Sequence, residues 1–139
     1  MRVYFTFEPR EDLCQPLIAE FPQVDFVFHA KLQEEELAQA DVLVTYGEDL
    51  TDAHIEIAEK LQWIFVASAG VEKMPAEAIA KREIVVSNVR GIHKKPMAES
   101  VLAHILALKR GLPFIYAQQQ KGQWNKKARL TELNGSTVL

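Results

Sequence analysis

Apolar residues gather along the chain in five short, dense runs, at 3–6, 24–28, 41–45, 63–67 and 84–87, rich in Val, Ile and Phe. None shows the polar alternation of a half-exposed antiparallel sheet, so the runs predict parallel strands covered on both faces. The segments between them read as helices. Leu13, Leu17, Ile18 and Phe21 keep a helical period that Pro22 ends, and Glu34, Glu35 and Glu36 place negative charge in the first turn of the next helix. Thr51 is a candidate N-cap for a helix burying Ile55, Ala58 and Leu61, and Pro75 suits the first turn of a short helix ending near Arg82. The order βαβαβαβαβ, with right-handed crossovers, predicts an α/β fold: a doubly wound, five-stranded parallel sheet of flavodoxin-like type.

The pattern changes after residue 92. A single long helix is predicted over 96–116, with Pro96 and Glu99 at its first turn and Pro113 kinking its last. It would run roughly 30 Å at about 1.5 Å per residue. Val101, Ile105, Leu108, Leu112 and Ile115 form one apolar stripe, and Ala98, Leu102 and Leu106 a second. So wide an arc calls for partners on more than one side. Beyond a polar exit at Gln118-Gln119-Gln120-Lys121-Gly122, the turn Glu132-Leu133-Asn134-Gly135-Ser136 leads into Thr137-Val138-Leu139. Those three residues read as the first steps of a strand, too short to stand alone, and the expectation is a piece of a longer protein.

Charge narrows the partners. A formal net charge of −3, with both signs interspersed, gives no reason to expect nucleic acid or an anionic membrane surface. The local cluster Lys121, Lys126, Lys127 and Arg129 around Trp124 reads as a solvated connection. The single Cys14 has no partner for a disulfide or a metal site, which points to a reducing, cytoplasmic setting. No apolar run reaches the roughly 18 residues that a membrane span requires.

In an open parallel sheet, ligands bind outside the carboxyl ends of the strands. Three loops fall there: Tyr46-Gly47-Glu48, Ser68-Ala69-Gly70-Val71, and Asn88-Val89-Arg90-Gly91-Ile92-His93. The small residues of the second either leave backbone N–H groups open to a carboxylate or, with Gly47 and Gly91, simply make turns. Ser68 partly echoes a nucleophile elbow, but the first glycine of that motif is missing. His29, His54, His93 and His104 contain no i, i+4 pair and form no metal set. A flavin phosphate loop is not expected at Phe7-Glu8-Pro9-Arg10. Glu8, Tyr46 and Asn88 are poor substitutes for the acidic pair, acceptor Asp and Lys of a phospho-receiver.

Taken together, Leu61-Gln62-Trp63-Ile64, Ser68-Ala69-Gly70-Val71-Glu72, Ile84-Val85-Val86-Ser87-Asn88-Val89-Arg90-Gly91, Met97-Ala98-Glu99, Gly122-Gln123-Trp124 and the final eight residues resemble the N-terminal part of a D-isomer-specific 2-hydroxyacid dehydrogenase. The resemblance covers essentially the whole chain. It implies a substrate-binding domain over 1–92, then, over 93–139, a long helix, a polar connection and the first strand of an NAD(P)-binding Rossmann domain. It implies an oxidoreductase interconverting short 2-oxo acids and D-2-hydroxy acids, such as glyoxylate, hydroxypyruvate or 3-phosphoglycerate, with NAD or NADP as cofactor. The family's catalytic Arg, Glu and His are expected downstream, so none is assigned here and the chain alone is expected to be inactive. Ala69, Gly70 and Val71 match the backbone donors to the substrate carboxylate, Tyr46 and Gly47 the loop over the substrate side chain, His93 a substrate-facing position, and Met97 a nicotinamide contact. Lys94, Lys95 and Pro96 depart from the small or hydroxylated residues often found there. The long helix is expected to join two subunits into a homodimer. The alternative is a non-catalytic binding or oligomerisation module on the same fold.

Overall fold

A computed structural model describes residues 1–138, in two compact units that meet at Gly91 and Ile92. The first holds β1 (Arg2–Phe5), α1 (Glu11–Glu20), β2 (Asp25–Phe28), α2 (Glu34–Leu37), β3 (Val42–Thr45), α3 (Asp52–Ile57), β4 (Trp63–Val66), α4 (Ala76–Lys81) and β5 (Val85–Asn88). Every strand pair is parallel and the order is β2-β1-β3-β4-β5, the flavodoxin-like arrangement expected from the pattern. Successive side chains point to opposite faces, which divides the core in two. Tyr4, Leu43, Ile64 and Val66 pack with Leu37, Ile55, Leu61 and Ile79 on one face, and Val3, Val42 and Val44 with Phe5, Phe26 and Phe65 on the other.

Cover is complete only at the centre. All four residues of β3 are buried, whereas Val85 of the edge strand β5 is 62% exposed and α1 buries none of its residues. The expectation of strands covered on both faces therefore holds for β3 and not for the edge, where a strand has a neighbour on one side only. Tyr4 carries its polar end inward and satisfies it: its hydroxyl donates to the Lys31 carbonyl and accepts from the Gln33 N–H, at 3.3 and 2.7 Å. Burial pushes the Tyr4 pKa up, with the Gln33 N–H pulling the other way.

Local signals act as their chemistry dictates. Thr51 and His54 form a reciprocal cap at the start of α3: Thr51 Oγ1 accepts from the His54 N–H at 3.4 Å, and His54 Nδ1 accepts from the Thr51 N–H at 3.2 Å. His54 is thus a helix-starting residue. The other end of α3 is closed by Arg82, whose guanidinium donates to the carbonyls of Ile55, Ala58 and Glu59.

In the second unit the long helix expected over 96–116 is two helices, α5 (Lys94–Lys109) and α6 (Leu112–Gln120). Gly111 separates them at φ +61, a left-handed conformation open to glycine, and an added Cβ would press on Leu130 at 3.2 Å. Pro113 then falls in the first turn of α6, where its missing N–H costs nothing, and does not kink a helix end. Neither helix has a buried residue. Thr137 and Val138, expected to open a strand, have no strand structure, since a strand exists only through pairing; Leu139 lies outside the described residues. No helix among the described residues is long and apolar enough to cross a membrane, and no group of His, Cys, Asp and Glu there has the makings of a metal site.

Candidate functional site

Because β3 and β4 are parallel neighbours, their carboxyl ends deliver two loops side by side. Thr45, buried at the end of β3, builds the first. Its Oγ1 accepts from the Gly47 N–H at 2.9 Å and donates to an Asp49 carboxylate oxygen, folding the chain back on itself. Gly47 sits at φ +83, and a Cβ there would meet Val66 at 3.2 Å and Met74 at 3.3 Å, so conformation and space both call for glycine. Tyr46 stays exposed, its ring 4.6 Å from that of Phe7.

The second loop leaves its backbone donors free. Among the described residues, no backbone N–H from 68–73 donates a hydrogen bond; the first N–H of the loop to do so is that of Met74, to the Val71 carbonyl. Asn88, at the end of β5, donates its side-chain amide to the Ala69 carbonyl at 2.6 Å. That peptide is trans, so drawing its carbonyl towards Asn88 turns the Gly70 N–H the opposite way. A Cβ at Gly70 would collide with the Glu72 carboxylate, which lies over the glycine.

Between the loops is a cavity of about 130 Å³, lined by Tyr46, Gly47 and Glu48 on one side and by Ser68, Gly70 and Val71, with Glu72 and Lys73, on the other. Its volume suits a ligand of a few heavy atoms. Lys73 Nζ is 3.1 Å from a Glu48 carboxylate oxygen, an exposed pair that ties one loop to the other. Unpartnered N–H groups in a concave turn make a site for a small anion without a charged side chain.

Of the residues singled out from sequence, Tyr46, Gly47, Gly70 and Val71 line this cavity, and Ala69 lies exposed within the same loop. His93 and Met97 belong to the second unit, where they line a groove of about 310 Å³ with Pro96, Ser100 and Val101. Neither histidine of the first unit lines the cavity: His54 caps α3, and His29 sits edge-on to Tyr4 with ring centroids 6.0 Å apart. Ser68 is no nucleophile elbow, because α4 begins only at Ala76 and the sharp strand-to-helix turn is missing. Sequence reading gave no role to Asn88 or Thr45. Both close strands next to the site, so the strand order was the signal from which they were legible.

The fold and this pair of loops define a flavodoxin-like domain with a small two-loop cavity at the carboxyl edge of its sheet. The family model described as "D-isomer specific 2-hydroxyacid dehydrogenase, catalytic domain" matches residues 5–137, and the chain belongs to that family. It is 35% identical over 106 residues to a D-3-phosphoglycerate dehydrogenase of Methanocaldococcus jannaschii, covering 75% of this chain and 20% of that protein. It is 33% identical over 133 residues to the D-3-phosphoglycerate dehydrogenase of Homo sapiens, covering 91% of this chain and 25% of that one. The chain thus spans a quarter or less of these relatives. A crystal structure of D-lactate dehydrogenase from Aquifex aeolicus, complexed with NAD and lactic acid, superposes with a TM-score of 0.73 at 24% identity, over 92% of this chain and 40% of that one. The likeness is one of fold.

Among the described residues of the second unit there is no strand, and hence no strand, glycine-rich turn and helix to cradle a pyrophosphate.

Gly47→Ala tests the first loop. Forcing a side chain to φ +83 against Val66 and Met74 should cost about 1–3 kcal/mol in urea unfolding. An unchanged midpoint would mean that the loop does not hold this conformation.

Proposed function

We propose that this chain carries the acid-binding part of an NAD(P)-dependent oxidoreductase that interconverts short 2-oxo acids and D-2-hydroxy acids. One observation carries the reading: the N–H groups of 68–73, without protein partners, belong to a loop that lines a small cavity in a chain of this family. The substrate carboxylate accepts from the N–H groups of Ala69, Gly70 and Val71, and Tyr46 and Gly47 close over the rest of the molecule. Asn88 holds the Ala69–Gly70 peptide in the donating orientation. His93 stands near the substrate and Met97 near the nicotinamide in the working enzyme. NAD(P), when bound, would supply or take up the hydride. The proton and the charge partner for the substrate are the work of an Arg, Glu and His outside these residues.

The domain division follows the same reading, with substrate binding in 1–92 and the approach to the dinucleotide domain in 93–139. Glyoxylate and hydroxypyruvate are the simplest candidate substrates, and the names of the relatives bring in 3-phosphoglycerate. The unpaired Cys14 accords with a reducing, cytoplasmic setting.

Without a cationic partner for the carboxylate, the chain alone should bind glyoxylate or oxalate at millimolar strength, about −4 kcal/mol. Titration into 15N-labelled protein should move the amides of Ala69, Gly70 and Val71 first, and NADH should not be oxidised above a buffer blank. Shifts confined to the basic residues around Trp124, or measurable turnover, would contradict the assignment.

The second unit is the proposed dimer contact. Met97, Val101, Leu102, Leu106 and Leu108 of α5 are all exposed, and burying a few such side chains contributes roughly 1.5–3 kcal/mol each before the cost of association. A two-fold pairing is the simplest closed way to cover them. Sedimentation at micromolar concentration should give twice the chain mass, and Leu102→Asp, at a half-exposed position, should give the monomer. A wild-type chain that stays monomeric at 100 micromolar would rule the contact out.

A further inference from the structure

We propose that the Ser68 hydroxyl is a further binding group of the cavity between the two loops, donating a hydrogen bond to the carboxylate of the bound acid. The inference rests on the reading that the N–H groups of 68–73 receive that carboxylate. It adds one side chain to a site otherwise left to main chain.

Ser68 follows β4 by two residues, and its backbone is held on both sides. The Ala67 N–H donates to the Thr45 carbonyl at 2.8 Å, and the Ala69 carbonyl accepts from the Asn88 side chain at 2.6 Å. Ser68 and Gly70 both line the cavity, whereas Ala69 between them does not. The serine and the glycine therefore border the ligand space together. With the backbone held, the freedom left to the hydroxyl is rotation about χ1.

That hydroxyl is unspent. The other hydroxyl and amide side chains at the ends of β3 and β5 are engaged by protein atoms: Thr45 by Gly47 and Asp49, Ser87 by the Trp63 indole N–H, Asn88 by the Ala69 carbonyl. Ser68 Oγ has no such partner among the described residues. Every side-chain oxygen or nitrogen shut off from solvent there does have one, so the Ser68 oxygen is open to water or to a ligand. An ionised carboxylate has two oxygens and accepts several hydrogen bonds, so it can take the backbone donors and the hydroxyl together. The Lys73 ammonium, the charged donor of the lining, is already paired with Glu48.

Acetate and glycolate share a carboxylate and differ in the 2-hydroxyl, which makes them a suitable pair of probes. Each is titrated into the 15N-labelled wild-type chain and into Ser68→Ala, and the Gly70 amide is followed. Because the hydroxyl holds no protein atom, Ser68→Ala should fold with an unchanged urea midpoint. Its affinity for both acids should fall about tenfold, the scale of a hydrogen bond to a charged group. Unchanged affinity in Ser68→Ala, or a loss with glycolate alone, overturns the inference while leaving the carboxylate site standing. So does a Ser68→Ala chain that no longer folds, because the hydroxyl would then serve the protein. No shift at 68–73 with either acid in the wild-type chain overturns the carboxylate site and the inference together.

Discussion

The candidate site depends on the parallel pairing of β3 with β4. Val42 to Thr45 lie against Trp63 to Val66 in one register, so both chains leave the sheet at the same edge and their loops meet. The pairing is secured where it is most expensive to disturb. Every residue of β3 is buried, and Leu43, Ile64 and Val66 are among the largest fully buried side chains of the molecule. Large-to-small changes at such positions cost about 2–5 kcal/mol, so a one-residue slip that turned these side chains outward would be ruinous.

On that base the polar residues serve the backbone. Thr45 folds one loop and Asn88 turns one peptide of the other, and each does so with a single side chain hydrogen-bonded to main chain. The proposed binding groups are N–H donors, which keep their charge distribution at any pH and need no side-chain rotamer to be held. Leaving such donors without protein partners is costly unless water or a ligand takes them, and an open cavity lets either do so.

The fold was legible because period, composition and punctuation agreed. Dense Val and Ile runs gave strands within a residue or two of their observed bounds, and Thr51 and Pro75 marked helix starts where helices begin. The helix over 96–116 failed because its apolar stripe continues through Gly111, and a stripe says nothing about φ. Only the pairing of Gly111 with Pro113 carried the break, a left-handed glycine followed by a helix-starting proline. At the site, Gly47, Gly70, Val71 and Tyr46, named from loop position and from the family resemblance, line one cavity. The Asn88 hydrogen bond to Ala69 and the Glu72 carboxylate over Gly70 were not legible, because both depend on how side chains turn, which spacing along the chain does not encode.

The central claim is that backbone N–H groups of the β4–α4 loop, turned by Asn88, hold a carboxylate beside Gly47. A crystal structure of the chain grown with oxalate tests it most directly. The account predicts a carboxylate oxygen within about 2.7–3.2 Å of the Gly70 and Val71 nitrogens, with the Asn88 amide still on the Ala69 carbonyl. Oxalate seated elsewhere, or N–H groups of 68–73 turned onto other protein atoms, would contradict it.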